Sequence, residues 1–313
     1  MRVSAPGSIM ITGEHAVVYG HPAIVAAIEQ RIAIELSPLP ERRLEIVSEI
    51  AEPASVELDR MEVGGPYRFV LAAAARFAGR LPCGARLEIR SEIDPTLGLG
   101  SSAAVTVAAL GAFARLSGAP TGDLHADALA VVRRIQGRGS GADLAASLMG
   151  GMTAYCLGPG MLSGTPAGDA RARIEPLPLP PALGLRYAGY KTPTAEVLAR
   201  IARAMEGREA EFAALYDRMG ECAAAAIAAA RASDWTGFGA ALDRYQGQMA
   251  ELGVSDETLD RIIADARAMP GLLAAKISGS GLGDCVLALG ALGALPEGFT
   301  PVAVAEEGLV IDD

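Results

Sequence analysis

Residues 94–104, DPTLGLGSSAA, gather small side chains where an apolar, helix-spaced run, AVTVAALGAFARL, begins. A helix N-terminus leaves backbone N–H groups without partners and carries partial positive charge. With no bulky side chain over it, such a tip admits the oxygens of a phosphate. Gly98 and Gly100 give backbone freedom there, Ser101 and Ser102 add hydroxyls, and Leu99 and Ala103 complete a candidate phosphate cradle. The GxxxxGK[ST] pattern is absent. Nor is this a dinucleotide-binding GxGxxG, because no acidic strand end follows about 20 residues on. Taken alone, the stretch fits two readings, a phosphate loop or a plain turn with an N-cap.

Other candidates lie along the chain. GRGSGADLAASLMGG (137–151) sets Asp143 behind a Gly/Ser-rich turn. Such an acid either sits in the first turn of a helix for the helix's own benefit or is placed for proton chemistry. Arg133, Arg134 and Arg138 flank that turn and read as a solvated helix end or as contacts for an anion. APGSIMITGEHAVVYG (5–20) and KISGSGLGDC (276–285) are two further glycine-bearing stretches, and GYKTPTAEV holds Lys191, Thr192 and Thr194 ahead of a helix. The histidines at 15, 21 and 125 form no metal-binding pattern with one another, so His15 is either a packed histidine or a neighbour of substrate.

APGSIMITGEHAVVYG, PTLGLGSSAA and KISGSGLGDC resemble, in that order, the three motifs of the GHMP small-molecule kinases, and the resemblance covers nearly the whole chain. GEHAVVYGHPAIVAAI is most similar to the mevalonate-phosphorylating branch of that family. The resemblance implies an α+β, two-domain fold. Residues 1–160 would form a ribosomal-protein-like ATP-binding domain with a left-handed βαβ unit, and 161–184 would connect it to a ferredoxin-like domain with extra helices over 185–313. It also implies ATP with its phosphates on residues 98–104 and a second glycine loop, Gly279, Ser280 and Gly281, beside phosphates and substrate. Asp143 stands at the place of the family's catalytic Asp in GxxSGxD, where it would meet the acceptor hydroxyl. Glu14, His15, Thr192 and Thr194 fall where relatives contact substrate.

The sequence departs from the family pattern in three places. Ser8 in APGS stands where many members carry the Lys that pairs with the catalytic Asp, and serine brings no charge. Lys191 is the expected substitute cation. Val132, eleven residues before Asp143, occupies the place of a magnesium-binding Glu. Mg2+ is then expected on Ser101 or Ser102, phosphates and water. GRGSGAD lacks a Pro found in mevalonate kinases, and with GDC after the third motif it is more similar to phosphomevalonate kinases. The expected activity is ATP-dependent phosphorylation of a hydroxyl on a small anionic metabolite, with mevalonate as the leading acceptor. Phosphomevalonate or a sugar-like alcohol is the alternative, and a nucleotide-binding, non-catalytic relative is the third reading.

The elements that must position these residues are partly legible. Alternating patterns at 31–36, 42–50 and 84–93 read as strands. Helical spacing marks 101–117, 123–135 and most of 194–268, with Ser255, Asp256 and Glu257 opening the last helix. Residues 157–184 are dense in Pro and Gly and read as an irregular connection with one edge strand; AAKIS, DCVLAL and TPVAVAEE return to strand-like runs. Hydrophobic residues make up 51% of the 313, enough for a large core, but aromatics are only 4% and the net charge is −10. That balance argues against nucleic acid and anionic membranes as partners. Cys83, Cys156, Cys222 and Cys285 are isolated and read as buried hydrophobes in a reducing cytoplasm, and no secretory or membrane-spanning segment is expected. The expected partners are ATP and a small substrate, with a homodimer compatible with the sequence.

Overall fold

The computed structural model describes residues 1–94, 97–119, 123–157, 172–291 and 295–312. The first strand, β1 (Arg2–Thr12), carries RVSAPGSIMIT through the middle of the molecule, buried over most of its length. Burial on both faces explains its near-continuous apolar run and its lack of alternation. β1 pairs antiparallel with β2 (Ala23–Leu39), which continues the predicted 31–36 strand in both directions. β3 (Arg43–Ser48), β4 (Ala51–Glu57) and β5 (Gly84–Ser91) complete the sheet's far side, and β5 pairs β2 antiparallel. β3 and β5 run parallel, with β4 and helix α1 (Arg68–Phe77) between them in the chain.

Helix α2 (Ser101–Ser117) packs against β1, β2 and α1, and its side chains from Ala103 to Ala114 are almost all buried. A helix buried on every side must be apolar all round. Its alanines and Gly111 permit close approach: a Cβ on Gly111 would lie 3.0 Å from Leu309. α3 (Leu124–Gln136) and α4 (Ala142–Met149) pack beside it, and α4 also rests on β1 and β2. β6 (Met152–Cys156) joins β2, and β7 (Arg173–Leu177) adds an edge strand beyond it. That is the edge strand expected within 157–184; residues 158–171 of that connection lie outside the described residues.

β8 (Ala182–Lys191) opens a second sheet that the sequence pattern left unmarked. α5 (Thr194–Met205), α6 (Glu209–Arg231), α7 (Trp235–Glu251) and α8 (Glu257–Arg267) follow, then β9 (Leu272–Ser278) and β10 (Gly283–Gly290). Asp256 caps α8, accepting from the N–H groups of Thr258 and Leu259. With β11 (Thr300–Pro301), the strand order is β11-β8-β10-β9. The chain then leaves this sheet. Ala303 and Ala305 bond to Glu29 and Ala27 of β2, and β12 (Val310–Asp312) pairs with β1 at the edge of the first sheet.

Candidate active site

The three glycine-bearing stretches meet in one cleft of about 920 Å³. Its walls include Ser8 and Glu14 from the first stretch, Gly98 to Ser102 from the second, and Gly279, Ser280 and Asp284 from the third, with Asp143 and Lys191 beside them. The third stretch is a hairpin loop between β9 and β10.

The second stretch forms the tip of α2. Gly100 takes the left-handed φ of 71° that frees the first turn of the helix, and Gly98 takes 69°. A side chain at Gly100 would overlap Ser8 Oγ and place its Cβ 3.0 Å from Ser8 N. Ser8 N in turn donates to the Leu99 carbonyl at 3.0 Å. The first strand thus fixes the loop from behind and only glycine lets it come so close. Ser101, Ser102 and Ala103 begin the helix with backbone N–H groups at its tip, Ser101 and Ser102 lining the cleft.

Asp143 is the second residue of α4, and its side chain is exposed to the cleft. Partial loss of water in the crowded cleft raises its pKa above the ordinary aspartate value, the neighbouring Ser8 hydroxyl lowers it in part, and the Glu14 charge adds to the rise. Ser8 Oγ itself is buried and makes no well-formed hydrogen bond. The turn before Asp143 is held at three successive carbonyls: Arg133 Nε donates to Gly139 O at 3.2 Å, Tyr155 Oη to Ser140 O at 2.6 Å, and His125 Nε2 to Gly141 O at 2.9 Å. Burial lowers the His125 pKa and keeps the ring neutral, so Nε2 carries the proton that this bond requires. Gly141 caps α4 with φ 86°, and a Cβ there would lie 2.9 Å from Tyr155 Oη. Arg133 therefore serves the turn, while Arg138 lines the cleft. His125 and Tyr155 gave no signal in the sequence, because their contacts with the turn depend on how α3 and β6 pack around it.

Glu14 and His15 sit at the end of the first stretch. Glu14 Oε1 is 2.6 Å from Lys276 Nζ, with both side chains buried. Burial lowers the Lys276 pKa, and Glu14 works against that shift. Tyr245 Oη donates to the Glu14 carbonyl at 2.6 Å. Glu14 Oε2 is buried without a hydrogen-bond donor. His15 holds a positive φ of 62°, rare for a residue with a side chain, and its Nε2 bonds the Ser280 carbonyl at 3.0 Å. Burial drops its pKa to about 4, so it is neutral. The first and third stretches are thereby joined through Lys276 and Ser280, and again where Ser278 Oγ donates to the Met10 carbonyl at 2.8 Å. A lone lysine inside the apolar run AAKIS was the sequence signal for the first of these links.

Lys191, at the end of β8, lies 2.9 Å from Asp284 Oδ1. Its ion pair is with the third loop, whereas the expectation was a direct partnership with Asp143. Thr192 Oγ1 donates to the Leu282 carbonyl at 2.6 Å and so braces that loop, and Thr194 Oγ1 is 3.4 Å from Ser280 Oγ. Gly279 and Gly281 have φ of 104° and 81°, and a Cβ on Gly281 would lie 2.8 Å from Val254 Cβ. Val132 is an apolar, buried residue of α3 and offers no metal ligand.

Comparisons with known proteins agree with this geometry. The family described as GHMP kinases N terminal domain matches residues 68–151, and GHMP kinases C terminal matches 226–297. A mevalonate kinase of Archaeoglobus fulgidus is 31% identical over all of this chain and all of its own length. One from Pyrococcus furiosus is 29% identical, covering 99% of this chain and 98% of its own. Among solved structures, the Lin0012 protein of Listeria innocua superposes with a TM-score of 0.87 at 23% identity, over 100% of this chain and 99% of its own. Two independently matched regions, full-length relatives and three converging glycine loops lead to one statement: the chain belongs to the GHMP kinase family and has its two-domain α+β fold.

Proposed function

We propose that this protein transfers the terminal phosphoryl group of ATP to a hydroxyl of mevalonate. The observation that carries the reading is Asp143, a carboxylate of raised pKa that opens into the same cleft as the bare helix tip at Gly100. Phosphoryl transfer to an alcohol needs little beyond such placement: anion-binding N–H groups for the phosphates and an acceptor for the hydroxyl proton. The name mevalonate comes from the curated relatives, about 30% identical over the full length.

Each wall then has a role. Gly98, Leu99, Gly100, Ser101 and Ser102 receive the phosphates on backbone N–H groups and hydroxyls, and Ala103, whose N–H bonds the Gly100 carbonyl at 3.0 Å, closes the first turn beneath them. Asp143 orients the acceptor hydroxyl and takes its proton. Glu14 Oε2, buried without a donor, requires one from the acceptor, as a second hydroxyl would supply. His15, Thr194, Gly279, Ser280 and Gly281 shape the acceptor's pocket, Thr192 braces its loop, and Arg138 faces its carboxylate. Lys191 brings the cation that Ser8 lacks. Magnesium, when bound with the nucleotide, offsets phosphate charge. The hydroxyls of Ser101 and Ser102 suit it, because it keeps several waters and needs few protein oxygens.

The test is ADP release from ATP and magnesium with a panel of acceptors: mevalonate, phosphomevalonate, homoserine and galactose. Turnover with mevalonate alone is expected. Turnover confined to another acceptor would overturn the substrate, and nucleotide binding without turnover on any of them would overturn the activity.

A further inference from the structure

The carboxylate of Asp284 occupies an unusual place for a negative charge. It stands between the two glycine loops. A Cβ built on Gly98 would lie 2.9 Å from Lys191 Nζ and 3.1 Å from Asp284 Oδ1, and one built on Gly279 would lie 3.1 Å from Oδ2. The residue is 5% exposed and holds a left-handed φ of 63°, a region that aspartate enters more readily than most residues with a side chain. Oδ1 lies 2.9 Å from Lys191 Nζ yet makes no well-formed hydrogen bond, so among the described residues it is a buried oxygen without a hydrogen-bond partner. Oδ2 has, among the described residues, only the Ser280 hydroxyl, at a long 3.5 Å. Among the described residues no backbone N–H group bonds this carboxylate.

An acid pressed against a phosphate cradle repels the ligand that the cradle fits. Like charges at close range repel more strongly where water is partly excluded. Lys191 and Asp284 together carry no net charge, so the pair offers a polyphosphate less attraction than the lysine alone would. A divalent cation lying between carboxylate and phosphate turns the repulsion into attraction on both sides. We infer that Asp284 is the protein carboxylate that receives the nucleotide-bound magnesium ion, with Lys191 beside it. This rests on the kinase reading above.

The test uses the full-length protein, a non-hydrolysable ATP analogue and no acceptor, with calorimetric affinities in Mg2+ and in EDTA. In the wild type, Mg2+ should tighten binding. Asp284→Asn should shrink that advantage by about tenfold or more, the scale on which metal-site residues act. In EDTA the same variant should bind the analogue as well as the wild type or better, because a like charge is gone. Asp284→Cys should shift the preference from Mg2+ towards Cd2+, the softer ion for a thiolate. An Asp284→Asn protein whose Mg2+ advantage stays within about twofold of the wild type would overturn the assignment. So would an equal loss of affinity in Mg2+ and EDTA with the fold intact by circular dichroism, which would make the acid a brace for Lys191. A wild type that binds the analogue in neither condition would remove the kinase reading itself, and this inference with it.

Discussion

Tyr155 Oη reaches from β6 to the carbonyl of Ser140, 2.6 Å away and three residues ahead of Asp143. With His125 on Gly141 and Arg133 on Gly139, it leaves the turn before the carboxylate no freedom to relax. Tyr155→Phe removes one bond and leaves a buried carbonyl short of a donor, at about 1–3 kcal/mol of local cost. The expected result is a fall in kcat of roughly tenfold with the KM for ATP nearly unchanged, because the phosphate loop is held separately by Ser8. Steady-state kinetics on both substrates checks it; equal changes in both KM values with kcat intact would place Tyr155 outside the positioning of Asp143.

Asp143 must be ionised to accept a proton. Its raised pKa means that activity appears only as pH climbs through a value above the ordinary aspartate range. The Ser8 hydroxyl favours the ionised form, so removing it pushes the pKa further up. Ser8→Ala is expected to move the acid limb of the kcat profile to higher pH while the plateau at high pH stays within about threefold. A limb that moves down, or stays in place, would contradict the proximity of Ser8 and Asp143.

Glu14 and Lys276 form a buried ion pair, and removing one partner strands the other charge. Glu14→Gln is expected to cost about 3–5 kcal/mol of unfolding free energy. Glu14→Gln combined with Lys276→Met should cost less than the sum of the two single changes, because the second removes the charge that the first left uncompensated. Urea unfolding of the four proteins in this cycle measures the coupling; additive losses would mean that the pair is not coupled in solution.

The chemistry was more legible in the sequence than the scaffold was. Gly98, Gly100 and the third loop announce themselves because close backbone approach tolerates only small residues. The helices at 101–117 and 194–268 are legible through their spacing. β1 was not, because burial on both faces erases the alternation that marks a strand. β8 was missed for a different reason: it follows a Pro/Gly-dense stretch and ends at Lys191 among polar residues. Long-range partners leave no local trace. Lys191 and Asp284 meet because β8 and β10, far apart in the chain, pair side by side, and no spacing rule could choose that partner over Asp143. The tail from Ala303 to Asp312 returns to the first sheet for the same reason: strand pairing is decided by the assembled edge it meets.

The central claim is that a single carboxylate, facing the acceptor across a phosphate-binding helix tip, performs the transfer. Asp143→Asn keeps the side chain's shape and removes its basicity. With ATP, magnesium and mevalonate, kcat is expected to fall by about 10²–10⁴-fold while the Kd for ATP stays within about threefold. A variant that turns over within tenfold of the wild type would contradict the claim.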